Sequence, residues 1–233
     1  YSYKDKYLLS ASIRRDGSSR FGANSKWGVF PSASVGWRIS EENFMKSIRT
    51  INDLKLRGSW GRSGNYSIGD YSSIPVLANY NYTFNSAQAT GQAPSAITNP
   101  DITWEESETY DVGFDFGLLG SRITGSFDYY NKLNYNLLLN VPVPQSTGFA
   151  TSLNNVGKVR NQGWEVELTS RNMVGKFQWI TSANLSHNAN KVIELASGQT
   201  QILIPSLFDI SHSILKVGEQ MNSIYVVRQI GIL

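Results

Sequence analysis

The sequence predicts an all-β protein, a segment of an antiparallel, up-and-down transmembrane β-barrel with long loops on one side. Its longer segments alternate between apolar and polar residues, the period of a strand with two different faces. Trp27 and Trp37 stand ten residues apart on one apolar face. That separation is about 33 Å of strand, which at a tilt of about 40° rises roughly 25 Å, the height of the lipid-facing band of an outer-membrane barrel. Short and long connections also alternate, as in such barrels.

Composition narrows the class of protein. Charged residues make up 17% of the 233 residues and aromatic residues 12%, and the charged share is below the roughly 25% of an average soluble domain. No apolar run approaches the roughly 18 residues of a spanning helix. With no cysteine, disulfides and thiolate metal sites are excluded. The net charge of +3 gives no reason to expect a nucleic-acid partner. A membrane β-barrel and a secreted β-protein both fit this composition.

About seven long strands are predicted, and alternating apolar residues identify each one. Their bounds are Tyr7–Arg14, Trp27–Ile39, Leu54–Arg62, Trp104–Phe116, Arg122–Tyr135, Val156–Ser170 and Phe177–Asn190. In that order, their apolar faces carry Tyr7, Leu9 and Ile13; Trp27, Val29, Val35 and Trp37; Leu54, Leu56 and Trp60; Tyr110, Val112, Phe114 and Phe116; Ile123, Phe127 and Tyr129; Trp164, Val166 and Leu168; and Phe177, Trp179 and Leu185. The second strand, Trp27–Ile39, is much longer than the five or six residues of a typical soluble sandwich strand.

The connections differ in length from one end of the strands to the other. Tight turns are predicted at Tyr3–Lys6, Leu118–Ser121 and Asn172–Lys176. Long loops are predicted at Asp16–Lys26, Ser63–Thr103, Asn136–Asn155 and in the tail from Lys191. The connection Glu41–Asp53 departs from this rule, because it falls on the turn side yet has about a dozen residues. Within it, Ser40–Lys46 is predicted to form a short amphipathic helix capped by Ser40.

The polar faces carry charges that would be very costly in lipid but are hydrated in a water-filled interior. These predicted lumen-facing residues are Lys55, Arg57, Asp111, Asp115, Arg122, Asp128, Glu165 and Glu167. The predicted lipid-facing girdle consists of Trp27, Trp37, Trp60, Trp164 and Trp179. A soluble sheet with one solvated face is the alternative, since charges are routine there.

The longest loop carries aromatic residues, which stack on sugar rings or anchor protein interfaces when they are exposed. These candidate contact residues are Tyr66, Tyr71, Tyr80, Tyr82 and Phe84. Two other interpretations stay open. The loop aromatics pack on one another, or they lie on an additional pair of strands that extends above the membrane.

Catalysis and metal binding are not expected. A pair of carboxylates such as Asp128 and Glu165 is what a glycosidase requires, but these carboxylates lie on regular alternating faces rather than on loops around a cleft. His187 and His212 are the only histidines, and no spacing supplies the three or four ligands of a metal site. Each histidine is expected at the surface or in a loop, and no cofactor is expected.

The sequence resembles the SusC/RagA family of TonB-linked outer-membrane transporters of Bacteroidetes. The two most specific runs are KYLLSASIRRDGSSRFG from Lys6 and WGVFPSASVGWRISEE from Trp27. Further runs follow in the family's order at Leu54–Gly61, Asn99–Glu105, Gly113–Gly117, Asp128–Tyr130, Asn155–Gly157 and Asn161–Glu165. Together the matches extend from about Tyr3 to Val192.

The resemblance implies a 22-stranded barrel of the Gram-negative outer membrane whose lumen holds an N-terminal plug. It also implies contact with the TonB complex, a SusD-like surface lipoprotein acting as a lid, and import of glycans or oligopeptides. Residues 1–233 are then expected to be part of the barrel domain, without signal peptide, plug, TonB box or the remaining strands. Their role would be to form wall and outer loops, with the aromatic loop residues contacting ligand or lid. A secreted carbohydrate-binding β-sandwich, or a glycosidase, is the alternative.

Overall fold

In the part of the chain that the structure describes, fifteen strands make up almost all of the regular structure. The computed structural model describes residues 1–22, 24–74, 76–196, 198–204, 213–226 and 231. The strands are β1 (Ser2–Tyr3), β2 (Tyr7–Gly17), β3 (Trp27–Arg38), β4 (Ile51–Asn65), β5 (Leu77–Phe84), β6 (Ala87–Pro94), β7 (Glu105–Leu118), β8 (Ile123–Tyr135), β9 (Leu138–Pro142), β10 (Thr151–Asn155), β11 (Lys158–Val174), β12 (Gln178–Glu194), β13 (Gln201–Ile204), β14 (Ser213–Lys216) and β15 (Ser223–Ile224). Short 3₁₀ turns occur at Ile39–Glu41 and Gln145–Thr147.

One antiparallel sheet dominates the fold. Its strand order is β1-β2-β3-β4-β7-β8-β11-β12, so each strand pairs with the next long strand along the chain. The predicted meander of seven long strands is therefore confirmed. Three small sheets, β5-β6, β9-β10 and β13-β14-β15, lie in the long connections. We call the end of the main sheet that carries these connections the loop end, and the opposite end the turn end.

The observed strands are longer than predicted where backbone pairing continues past the apolar band. Strand β4 runs to Asn65 and β11 to Val174, because their ladders with β7 and β12 continue that far. Trp104, predicted as the first residue of a strand, precedes β7 and packs among the loops.

The predicted helix at Ser40–Lys46 is wrong. Only a 3₁₀ turn forms at Ile39–Glu41, and successive tight turns follow, in which the Met45 amide donates to the Glu42 carbonyl and the Ile48 amide to the Met45 carbonyl. The Ser40 hydroxyl donates to Asp53 at 3.3 Å instead of capping a helix. A seven-residue segment gains too little from helix propagation to offset the cost of nucleation.

The apolar face of the main sheet is uncovered. Near its middle, Leu9, Val35, Val112 and Leu185 are 50%, 58%, 61% and 63% exposed. A second layer packed on this face, as in a β-sandwich, would bury these side chains. Their exposure instead leaves a broad apolar surface of the kind that marks contact with lipid or with another protein.

Tryptophans at the turn end follow a diagonal across the sheet. From Trp37, the strand register passes through Leu56, Phe114, Phe127 and Val166 to Leu185 in five strand-to-strand steps. Trp179 stands six residues before Leu185 on the same face of β12. Six residues span about 20 Å along the strand, and five steps span about 24 Å across the sheet. A line from Trp37 to Trp179, which we call the tryptophan belt, therefore lies at about 40° to the rows of paired residues. This angle matches the strand tilt of outer-membrane barrels.

At the turn end, Glu42 joins two neighbouring connections. Its carboxylate accepts hydrogen bonds from Lys6 Nζ at 3.0 Å, the Tyr7 hydroxyl at 2.7 Å and Trp37 Nε1 at 3.3 Å. The hydrogen bonds from Tyr7 and then Lys6 hold the pKa of Glu42 below its ordinary value. Tyr7 also stacks between Tyr3 and Trp37, with ring centroids 6.4 and 6.5 Å apart. This contact fixes the aromatic belt to the turn below it.

Gly163 provides a test of the main ladder. A Cβ atom at this position would lie 2.2 Å from the His187 carbonyl oxygen and 2.7 Å from the Tyr130 hydroxyl. We expect Gly163→Ala to separate β11 from β12, because overpacking costs about 1–3 kcal/mol. The folded fraction of the full-length protein that contains this chain should fall, measured as the heat-modifiable band on unheated SDS gels. Gly175→Ala is the matched control, since nothing lies within 4 Å of its Cβ position. Equal folded fractions for the two variants would contradict the expectation.

Candidate functional site at the loop end

A buried aromatic cluster organises the loop end. Trp104 is 3% exposed, and its ring lies 5.1 Å from the ring of Phe21 and 5.5 Å from that of Phe30. Ile68 and Ile102 complete the cluster. Trp104 Nε1 donates to the Ser25 carbonyl at 3.1 Å, so its one polar atom is satisfied. The members come from two loops and the strand β3, and their burial holds these segments together.

Polar contacts attach the second long loop to the first. Arg20 Nη1 donates to the Ile68 carbonyl at 2.9 Å, and Arg20 Nε lies 2.8 Å from Asp70. In return, the Ser73 hydroxyl donates to the Arg20 carbonyl at 3.0 Å. The segment from 66 to 73 is therefore fixed against the loop that joins β2 to β3.

Asn155 attaches the third long loop. Its Oδ1 accepts from the Thr103 amide at 2.8 Å, while its Nδ2 donates to the Thr103 carbonyl at 2.8 Å and the Asn136 carbonyl at 2.9 Å. Asn99 Nδ2 donates to Asn154 Oδ1 at 2.9 Å nearby. Both the oxygen and the nitrogen of one amide side chain are therefore used to join two loops.

The hairpin β5-β6 lies between the two parts of the connection that join the aromatic cluster, and we call that cluster the base. The hairpin has two chemically different faces. Its turn residues Asn85 and Ser86 have φ of 48° and 63°, the backbone of a type I′ turn. On one face Tyr80, Tyr82 and Phe84 stand opposite Gly91, Ala89 and Ala87. These three aromatic side chains are 55%, 56% and 71% exposed. The hairpin thus presents an aromatic strip beside a row of small residues.

The other face of the hairpin is built from amides and hydroxyls. Asn79 pairs with Gln92, and these side chains hydrogen-bond at 3.3 Å. The pairs Asn81–Thr90 and Thr83–Gln88 complete this face. Aromatic faces stack on sugar rings and anchor protein interfaces, while amides hydrogen-bond to hydroxyls or peptide groups. The hairpin therefore offers the chemistry of a binding surface.

Among the predicted contact residues, three come together and two do not. Tyr80, Tyr82 and Phe84 share the aromatic face of the hairpin. This agrees with the interpretation that places the loop aromatics on an additional pair of strands. Tyr66 belongs to the base, with its ring edge-on to Trp104 at 5.7 Å. Tyr71 is exposed with a φ of 62°. The signals in the sequence for the hairpin were the alternation of Asn with aromatic residues in 79–84 and the Asn-Ser pair that follows it.

The predicted lumen-facing charges gather on the polar face of the main sheet. Arg57 lies 2.9 Å from both Asp115 and Asp128, and so joins β4, β7 and β8. The register sets Lys55 opposite Asp115 and Glu165 opposite Asp128. Asp111 and Glu167 lie on the same face, at alternate positions of β7 and β11. Arg122 is apart, because it sits in the turn before β8 and donates to the carbonyls of Arg171 and Asn172.

The predicted girdle tryptophans lie on the apolar face and differ in exposure. Trp27, Trp37 and Trp179 are exposed, and Trp60 and Trp164 are half-buried. Trp60 Nε1 donates to Glu108 at 2.8 Å, and the ring of Trp164 lies 6.1 Å from that of His187. His187 is a surface residue of β12, whereas His212 lies outside the described residues.

Two features are absent from the described residues. In that part of the chain, no three His, Asp or Glu side chains converge as ligands for a metal ion. None of the helices there is long and apolar enough to cross a membrane.

Comparisons with known proteins identify the family. The family model described as TonB dependent receptor-like, beta-barrel, matches residues 1–207. The chain belongs to this family. It is 44% identical to TonB-dependent receptor P39 of Formosa agariphila, over 100% of the chain and 22% of that protein. With TonB-dependent receptor SusC of Bacteroides thetaiotaomicron the identity is 36%, over 99% of the chain and 24% of that protein.

Solved structures agree with the TonB-dependent receptor fold. The chain superposes on a protein from the structure of the RagAB peptide transporter with a TM-score of 0.84 at 28% identity, covering 95% of the chain and 24% of that protein. It thus spans about a quarter of the length of its relatives. The predicted all-β barrel fold and the SusC/RagA resemblance are confirmed. The relatives compared are named as receptors or transporters rather than enzymes.

Replacing Trp104 tests whether the cluster rigidifies the loops of this receptor-like barrel. We expect Trp104→Ala to destabilise the loop assembly by about 3–5 kcal/mol, since the side chain is fully packed. Limited proteolysis of the full-length protein should then cut the 66–104 connection faster, while the heat-modifiable barrel band persists. Tyr71→Ala removes an exposed aromatic from the same connection and serves as the control. Unchanged proteolysis of Trp104→Ala would contradict the role of the cluster.

Proposed function

We propose that this chain forms part of the wall and the outer loops of a TonB-dependent, SusC-like transporter in the Gram-negative outer membrane. The observation that carries the proposal is the uncovered apolar face, on which the line from Trp37 to Trp179 lies at about 40° to the rows of paired residues. Membership of the receptor-like barrel family agrees with it. Residues 1–233 are, in this proposal, one part of a barrel whose plug and other strands belong to the rest of the protein.

In this arrangement each face of the sheet meets a different medium. The apolar face and its five tryptophans contact lipid, and the turn end points to the periplasm. The polar face lines the lumen, where water and the plug stabilise its charges. Arg57 supports this orientation, since a guanidinium between two carboxylates is readily accommodated in a hydrated interior and is unfavourable in lipid.

The loop end supplies the contacts with partner and cargo. The cargo is an oligosaccharide or an oligopeptide, and the RagAB relative is itself described as a peptide transporter. A SusD-like lipoprotein covers the barrel, and the TonB complex drives import through regions outside this chain. The aromatic face of β5-β6 contacts the lipoprotein or the cargo, because exposed aromatic side chains have only two χ angles and lose little conformational entropy on binding.

Fractionation and uptake test the proposed function. In a strain lacking the gene, the full-length protein supplied in trans should restore accumulation of fluorescent oligosaccharides or oligopeptides, and it should fractionate with the outer membrane. Dissipating the proton gradient should abolish the uptake, because TonB transmits that energy. Recovery of the full-length protein as a soluble species would refute the proposal.

The two-faced hairpin allows a sharper experiment. We expect the triple variant Tyr80→Ala, Tyr82→Ala, Phe84→Ala to lower uptake about tenfold or more, since each buried aromatic anchor of an interface contributes 1 kcal/mol or more. The variant Asn79→Ala, Asn81→Ala, Thr83→Ala changes the opposite face of the same strand and should retain more activity. Co-purification of the lipoprotein separates loss of the partner from loss of cargo binding. Equal uptake by wild type and the aromatic variant would show that the aromatic face of the hairpin plays no part in uptake.

A further inference from the structure

Among the residues that the structure describes, two basic residues on the apolar face have no charged partner. Arg160 of β11 and Lys191 of β12 stand directly opposite each other in the register. Both are exposed, and Arg160 lies four residues beyond Trp164 toward the loop end, on the same face. Like charges directly opposite each other on neighbouring strands destabilise a sheet, so this pair calls for a compensating anion.

The surrounding charges do not supply that anion. In the same register row, Arg62 is compensated by Glu108 at 3.5 Å. Lys158 forms an ion pair with Glu194. Among the residues that the structure describes, no carboxylate lies within ion-pairing distance of Arg160 or Lys191.

A cleft adjoins the two cations. It has a volume of about 580 Å³, and besides Arg160 and Lys191 its wall includes Gln162, Glu219 and Gln220. The Glu219 carboxylate is already bound by Lys216 Nζ at 2.6 Å. The cleft is therefore large enough for a phosphate group and its first substituents, and Gln162 adds a neutral donor.

The distance of Arg160 and Lys191 from the tryptophan belt, measured across the membrane, indicates the kind of anion. Lys191 follows Trp179 of the turn-end belt by twelve residues on the same face of β12. Twelve residues span about 41 Å of strand and, at a tilt of about 40°, rise about 31 Å. The lipid-facing band of an outer-membrane barrel is about 25 Å tall. The cations thus stand just beyond the hydrocarbon, at the level of the outer-leaflet headgroups.

We propose that Arg160 and Lys191 bind the phosphate of an outer-leaflet lipid headgroup. The inference rests on the proposed orientation of the apolar face toward lipid. A guanidinium forms paired hydrogen bonds with phosphate oxygens, and an ammonium adds a point charge. The bound phosphate relieves the repulsion between the two strands and fixes a lipid against the edge of the loop end.

Lipid binding by the purified full-length protein tests this site. The probe is diphosphoryl lipid A, titrated into detergent-solubilised protein and counted by native mass spectrometry. We expect the double variant Arg160→Gln, Lys191→Gln to weaken binding about tenfold or more, because it removes both charged contacts. The control Arg171→Gln, Lys176→Gln removes the same charge at the turn end and should bind like wild type. Heat modifiability checks that both variants are folded.

Each other outcome overturns the inference. Equal weakening by the two double variants would show that only net charge matters. Equal binding of dephosphorylated lipid A would exclude phosphate recognition, and displacement by millimolar inorganic phosphate would assign the site to a free anion. Normal lipid binding by the folded variant would exclude these two residues. If the protein fractionates with the outer membrane but fails this test, only the lipid site is lost, whereas a soluble protein refutes the proposed function itself.

Discussion

The whole arrangement depends on pairing the backbone amides and carbonyls of neighbouring strands. In a hydrocarbon medium every unpaired group costs several kcal/mol, so a spanning sheet needs unbroken ladders. The ladder from β11 to β12 pairs every residue from Val159 to Arg171, and the one from β4 to β7 pairs every residue from Asp53 to Asn65; the register shifts lie nearer the strand ends. Because the backbone groups pair with one another within the sheet, the side chains are free to divide into an apolar face and a polar face.

The same ladders explain how the loop end becomes rigid. Strands β4 and β7 continue beyond Trp60, and their ends bring Gly64 and Trp104 together with Phe30. That apolar cluster, and the amide of Asn155, hold long connections that would otherwise be mobile. These contacts hold both ends of the connection from which β5-β6 extends, and the pairing of β5 with β6 sets Tyr80, Tyr82 and Phe84 in one row.

Structural features with a repeating sequence pattern could be predicted from the sequence, and features without such a pattern could not. Alternation located the seven long strands and the tryptophans of the apolar face, because a period of two is imposed by the pleat. The cluster of Phe21, Ile68, Ile102 and Trp104 joins residues far apart in the chain, with no periodicity to reveal it. The helix predicted at Ser40–Lys46 failed because local propensity was outweighed by the contacts of Ser40 with Asp53 and of Glu42 with Trp37.

The strand tilt that the tryptophan belt indicates, together with the number of strands, also determines the width of a barrel. At about 40°, each strand takes up about 6 Å of perimeter. Continued around the 22 strands that the SusC/RagA resemblance implies, the perimeter would be about 140 Å and the backbone-to-backbone diameter about 44 Å. An opening of that width passes molecules far larger than a single sugar or amino acid, and left unobstructed it would abolish the permeability barrier. A 22-stranded wall with this tilt would therefore need a plug in its lumen to keep the membrane a barrier, and in the proposed transporter the same width would admit large cargo.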